Sequence, residues 1–346
     1  MKAKAEIKMN WVCCSRRARV LGAAFAMLVG STWIARAQSC QTSNELDDAT
    51  RSAITAVAQR YFDMAAKGDA ASLRQNAIPL LAGSFAGVES TIKDRQPALA
   101  GAHAALKAVF LLEAEGKEPL PHGEFLCGVF GKNGQTSGSA AFYLDNLAPG
   151  KYAVVLLDAT SASARINFTE ILQQVGTDWK LAGLYEDPAQ LAGHDGDWFL
   201  ARSREYKTKG QLHNAWLYYL QGRNLVAPLS FMSTLATDKL YEEFQKTQPA
   251  DMPGNGKTVD LAAGATTYKI TELFPAPVGN DLDLIVKYQA ADVSNTNQAY
   301  QSNVAVIKAL VAKYPEVKDA FAAVVARAVD RSGKDYGTLL AMKDVK

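Results

Sequence analysis

The sequence predicts an α+β protein: helices packed on one face of a curved, cone-like antiparallel sheet, then a helical hairpin linker and a small C-terminal α+β domain. Three observations predict it. An amphipathic period of three and four residues opens the body of the chain, the period changes to two over six later segments, and helical spacing returns before a last mixed block. Turn-rich breaks at 186–196 and 248–256 divide the body. The expected units are 1–37, 45–187, 196–247 and 257–346.

Residues 1–37 are expected to be an export signal. Arg16, Arg17 and Arg19 precede an uncharged apolar run from Val20 to Ala35, and Ala35 and Ala37 frame a small-x-small cleavage site before Gln38. The run falls short of the ~20 residues a membrane span needs. A periplasmic or secreted location follows, with cleavage after Ala37. Ser15-Arg16-Arg17 leaves twin-arginine export open beside the general secretory route. The leader carries seven basic residues and Glu6, a net of +6, so the chain's +2 becomes −4 from Gln38 onward. A mildly acidic body argues against nucleic acid as a partner, and no membrane span is expected after cleavage. Of four cysteines only Cys40 and Cys127 lie beyond the leader. One disulfide between them, or a buried free Cys127 with an unpaired Cys40, are both compatible with the sequence.

The first helix is marked by Ile54, Val57, Ala58, Tyr61, Phe62 and Ala65, with Gly68 as its stop. Asp69 can cap a short second helix through Leu73 and Ile78, and Pro97 to Leu106 is expected to hold more helix. Strands are expected at Val109–Ala114, Glu124–Phe130, Ala140–Leu144, Tyr152–Leu157, Ile166–Val175 and Trp179–Tyr185. Turn chemistry at 146–150 and 176–178 makes the last four an expected antiparallel meander.

The helix segment Ala56–Asp69 and the closing segment Gly176-Thr177-Asp178-Trp179-Lys180-Leu181-Ala182-Gly183-Leu184-Tyr185 resemble the first helix and last strand of the nuclear transport factor two-like superfamily. The resemblance covers about 140 residues. It implies a cone whose sheet wraps a pocket, in a superfamily that holds small-molecule isomerases, dehydratases and pure binding modules.

One lead to chemistry comes from alternation. In Ile166-Asn167-Phe168-Thr169-Glu170-Ile171-Leu172, Glu170 shares a face with Ile166, Phe168 and Leu172. A carboxyl on an apolar face has a raised pKa and suits a general base. Tyr61 and Tyr152 are the candidate hydrogen-bond donors beside it. Tyr61, Tyr152, Phe168 and Glu170 therefore form the expected ligand-binding set, with Glu170 and Tyr61 the least unlikely catalytic pair. The competing expectation puts Glu170 at a strand edge, or paired with Arg165 or Lys180.

Other motifs fail on chemistry. His122-Gly123-Glu124 lacks the cysteine pair of a zinc deaminase, and His103, His122, His194 and His213 show no metal-ligand spacing. His194-Asp195-Gly196-Asp197 is too short for a calcium loop and is expected to cap the next helix. Gly254-Asn255-Gly256-Lys257-Thr258 lacks the first glycine and preceding strand of a phosphate loop. No metal or cofactor is expected.

In the middle block Phe199, Tyr206, Gly210, Leu212, Ala215, Tyr219, Gly222 and Pro228 stand at positions that resemble a single tetratricopeptide repeat, with Ser203 where glycine or alanine is usual. Such a unit implies a helical hairpin bridging two domains, with another helix at Leu235–Phe244. The last block has expected strands at Val259–Leu261, Tyr268–Phe274 and Leu282–Tyr288, with Pro275 and Pro277 in the link between the last two. Helices are expected through Val304–Tyr314 and Ala320–Ala328, the second opened by Pro315, then a strand at Tyr336–Met342. Two function classes remain. One is an exported non-catalytic protein binding a small apolar ligand, an envelope component or a protein partner. The other is an isomerase- or dehydratase-type enzyme using the cone pocket.

Overall fold

A computed structural model describes residues 38–345 except 133, 255 and 280. The expected leader at 1–37 lies outside the described residues. The protein is α+β.

Helix α1 (Asp48–Ala66) starts where the Asp47 carboxylate accepts the Thr50 N–H at 2.9 Å. Its buried residues Ile54, Ala58, Tyr61, Phe62 and Ala65 recur every three or four positions, and Gly68 leaves it at φ 73°. Asp69 caps the short α2 (Ala70–Gln75); α3 (Pro79–Gly83) and α4 (Ala86–Leu99) follow. The helix expected from Pro97 to Leu106 is corrected. Pro97 stands in the last turn of α4, Gly101 turns the chain at φ 69°, and a strand begins at His103.

Strands β1 (Gln38–Thr42), β2 (His103–Ala114), β3 (Leu120–Cys127), β4 (Ala140–Leu147), β5 (Gly150–Thr160), β6 (Arg165–Val175), β7 (Asp178–Pro188) and β8 (Met232–Thr234) form two sheets. The larger runs β1-β2-β5-β6-β7 and the smaller β8-β4-β3, both antiparallel. The expected four-strand meander is therefore only three strands long. The turn at 146–150 does not close a hairpin but carries the chain from β4 in one sheet to β5 in the other. The reason is burial. Alternate residues of β5 enter two cores, with Ala153, Val155 and Leu157 against α1–α4 and Tyr152, Val154 and Leu156 against the smaller sheet. The large sheet is thus covered on both faces. Cys40 of β1 and Cys127 of β3 form a disulfide, Cα–Cα 4.8 Å, that ties the two sheets together at one edge.

Helices α5 (Gly196–Thr208), α6 (Leu212–Val226) and α7 (Leu235–Thr247) follow, and the Asp195 carboxylate caps α5 by accepting the Trp198 N–H. α5 and α6 cross closely at two glycines. A methyl group on Gly222 would stand 2.8 Å from the Leu200 side chain, and one on Gly196 would stand 3.1 Å from the Gly222 carbonyl. Ser203 is accommodated because its hydroxyl donates to the Ala215 carbonyl at 2.6 Å.

The last sheet runs β9 (Val259–Ala263), β10 (Thr266–Val278), β11 (Asp281–Gln289), β12 (Ala323–Val329), β13 (Asp335–Ala341). Helix α8 (Thr296–Lys313) is the crossover between the parallel pair β11 and β12. The helix expected at Ala320–Ala328 is corrected to strand β12, preceded by a single 3₁₀ turn at Pro315–Asp319. Alanine spacing suits either state there, and parallel pairing with Leu284–Gln289 decides for the strand. Pro275 and Pro277 lie inside β10 rather than in a link. β9 pairs only with 266–270, so beyond it β10 has an unpaired side on which a missing N–H costs no ladder bond. One hydrophobic cluster contains Phe199, Leu217 and Tyr219 of α5 and α6 together with Leu284, Val286, Ile307 and Val324. The middle helices share a core with the last sheet rather than bridging to it.

Candidate functional site

Directly paired residues of β6 and β7 share a face, and on the helix side they form a ladder: Ile166 with Pro188, Phe168 with Glu186, Glu170 with Leu184, Leu172 with Leu181. The first rung lies at the rim of the sheet and each later rung is roughly 7 Å deeper. Phe168 packs edge-on against Phe62 of α1, ring centroids 5.1 Å apart. Glu170 is fully buried below it, and neither carboxyl oxygen has a hydrogen-bond partner among the described residues. It is at no strand edge and pairs with neither Arg165 nor Lys180. Burial alone pushes its carboxyl well above the usual carboxylate range.

Tyr61 is on the same side of the sheet, buried, with its hydroxyl donating to the Trp179 carbonyl at 2.9 Å. Burial raises its pKa, and Glu170 adds to the effect. Tyr152 does not join them. Its ring packs in the core on the other face of the sheet and its hydroxyl donates to the Ala148 carbonyl at 2.9 Å. Of the expected set, Tyr61, Phe168 and Glu170 therefore lie on one face of the sheet and Tyr152 on the other. Tyr152 follows the alternation of β5, where even-numbered residues face the smaller sheet.

A second acid belongs to the site. Glu186 is only 7% exposed, and both its oxygens lack a hydrogen-bond partner among the described residues. Burial raises its pKa to about 7, against the opposing pull of Arg95 in α4 and with a small push from Asp187. Strict alternation along β7 would put Glu186 opposite to Trp179 and Leu181. A β-bulge breaks that parity: Ile171 faces Gly183 and Leu172 faces Leu181, leaving Ala182 as the extra residue. Beyond it the even-numbered residues Leu184 and Glu186 point to the helices. The only sequence signal was the small pair Ala182-Gly183.

At the rim, directly above the first rung, is a cleft of about 440 Å³ bordered by Arg95, Ala98, Ile166, Pro188, Gly193 and Gly279. Arg95 and Ala98 are one turn apart on α4, and Gly279 comes from the β10–β11 turn. Among the described residues Arg95 is in no ion pair. Also among the described residues, no group of three or more His, Cys, Asp or Glu side chains is placed to hold a metal ion. No helix there is long and apolar enough to cross a membrane.

The arrangement offers two buried carboxyls, both with raised pKa values, on an otherwise apolar face behind an open cleft. It can donate to and accept from a polar group of a buried ligand. Comparison with protein-family models, curated proteins and solved structures finds no match to this chain.

Proposed function

We propose that the protein is an exported binding protein, periplasmic or secreted after cleavage following Ala37, that holds a small ligand between α4 and the β6–β7 rim. The observation that carries this reading is the pair of buried carboxyls, Glu170 and Glu186, which lack hydrogen-bond partners among the described residues and lie on the face directly behind the cleft. Burying a carboxyl without a partner costs free energy that folding does not recover, and such groups concentrate where a ligand supplies the partner. The apolar neighbours Phe168, Ile166 and Phe62 suit an apolar ligand body. The resemblance of the first helix and closing strand to nuclear transport factor two-like domains, whose cone wraps a pocket, supports the same location.

The test is a thermal-shift screen of the leader-free protein against small metabolites, with Ala98→Trp to fill the cleft. Compounds that raise the Tm of the wild type and not of Ala98→Trp support the reading; compounds that shift both equally, or none that shift either, overturn it.

A second reading is favoured by the placement of two buried carboxyls, Glu170 and Glu186, as diagonal neighbours, with burial raising the pKa of Glu186 to about 7. It is a proton-transfer enzyme of isomerase or dehydratase type, with Glu186 as base and Glu170 as acid. Turnover of any compound found in the screen, lost in Glu186→Gln while binding persists, separates it from the binding reading.

A further inference from the structure

The rim cleft is lined by two arginines, Arg95 and Arg165, and by no acid. They come from different elements, Arg95 from α4 and Arg165 from the first position of β6, next to the Ile166–Pro188 pair of the floor. Among the described residues neither is in an ion pair. The chain from Gln38 onward is net negative, so two such guanidiniums on one cleft are a local exception to its charge. Neutral polar groups complete the border: Ser163, Gln190 and the hairpin tip Ala192-Gly193. Both tip residues have positive φ, 47° and 76°, and neither N–H donates to a backbone carbonyl among the described residues. We propose that the cleft takes a small organic dianion, a phosphate monoester or a dicarboxylate, whose charged groups are held by Arg95 and Arg165.

This rests on the proposed binding role and names its ligand class. A guanidinium keeps its charge at every working pH and meets a carboxylate or phosphate through two parallel N–H···O bonds. Two of them on a cleft without an acid favour two negative charges over one and disfavour a cation. The volume of about 440 Å³ leaves room for an organic body, and Ala98, Ile166 and Pro188 supply the apolar wall for it. Glu186 lies one rung behind the Ile166–Pro188 pair and does not line the cleft, so the charge a ligand meets on entry is that of the arginines.

Isothermal titration of the leader-free protein with probes built on one phenyl ring tests it. Phenyl phosphate and phthalate are the two kinds of dianion, benzoate carries one negative charge, benzylamine a positive one and benzyl alcohol none. At least one dianion is expected to bind roughly tenfold more tightly than benzoate, and the tighter of the two names the group recognised. Arg95→Gln and Arg165→Gln lie outside the core, so the Tm should hold while each weakens the tighter dianion roughly tenfold. Ala98→Trp should abolish its binding. Benzoate, benzylamine or benzyl alcohol binding as tightly as the dianions, and lost in Ala98→Trp, overturns the dianion and leaves the cleft as a binding site. A dianion whose affinity survives both arginine substitutions also overturns the proposal. If neither dianion binds, the proposal fails, and the metabolite screen alone decides the binding role.

Discussion

Glu170 of β6 and Glu186 of β7 are diagonal neighbours on one face of the sheet: Glu170 is paired with Leu184, and Glu186 with Phe168, two residues along. Two carboxyls thus share an apolar interior, and among the described residues neither has a hydrogen-bond partner. Each consequence below follows from that pairing or from the contacts that hold the surrounding layers in place.

Glu170→Met is expected to stabilise the protein by ~1–3 kcal/mol, because it replaces a buried unpartnered carboxyl with an apolar side chain of similar length. Urea unfolding at neutral pH measures it. A lower midpoint in the variant would show that the carboxyl supports the fold.

Glu186 sets a pH dependence whose sign is fixed. Its folded pKa, about 7, lies above the ordinary value of 4.5, so the folded state holds the proton more tightly than the unfolded chain. Its contribution is fully present below pH 4.5 and is lost as pH rises to about 7. The shift corresponds to about 3 kcal/mol at most. Glu186→Gln should flatten that part of the stability–pH curve, measured by urea midpoints at half-unit intervals. A wild-type curve that does not fall across that window would show that Glu186 is not buried as a neutral group.

The Cys40–Cys127 disulfide closes a span of 87 residues and joins the two sheets. Reduction, or Cys40→Ser with Cys127→Ser, is expected to cost ~2–4 kcal/mol. Unfolding with and without reductant reads the difference, and thiol titration of the denatured, unreduced, leader-free protein should find none free.

Gly222→Ala is expected to destabilise by ~1–3 kcal/mol, since the new methyl meets Leu200 at 2.8 Å and the Gly196 carbonyl at 3.1 Å across the α5–α6 crossing. Gly210→Ala, in open space at φ 76°, should cost less. Equal losses in the two variants would contradict the close crossing.

Much of this architecture was legible. Helix α1 showed its buried stripe at Ile54, Ala58, Tyr61 and Phe62, and β6 showed Glu170 among apolar neighbours by alternation alone. What stayed hidden depended on contacts distant in sequence. Whether Ala323–Val329 is helix or strand was decided by the parallel partner β11. Whether residues 146–150 close a hairpin was decided by a second sheet, which claims β4 for β3 and β8. Glu186 was hidden by one irregular pairing, because alternation is a reliable guide to facing only while the register holds.

That single irregular position has a wider consequence. The chemistry of the interior is encoded in the length of β7 as well as in its composition, because removing Ala182 would rotate Glu186 outward and its neighbour Asp187 inward without altering any side chain. A one-residue deletion there should act like the exchange of the buried glutamate for an aspartate, and a compensating insertion before Glu186 should act like its recovery. In this domain, an insertion or deletion is as much a change of chemistry as a substitution.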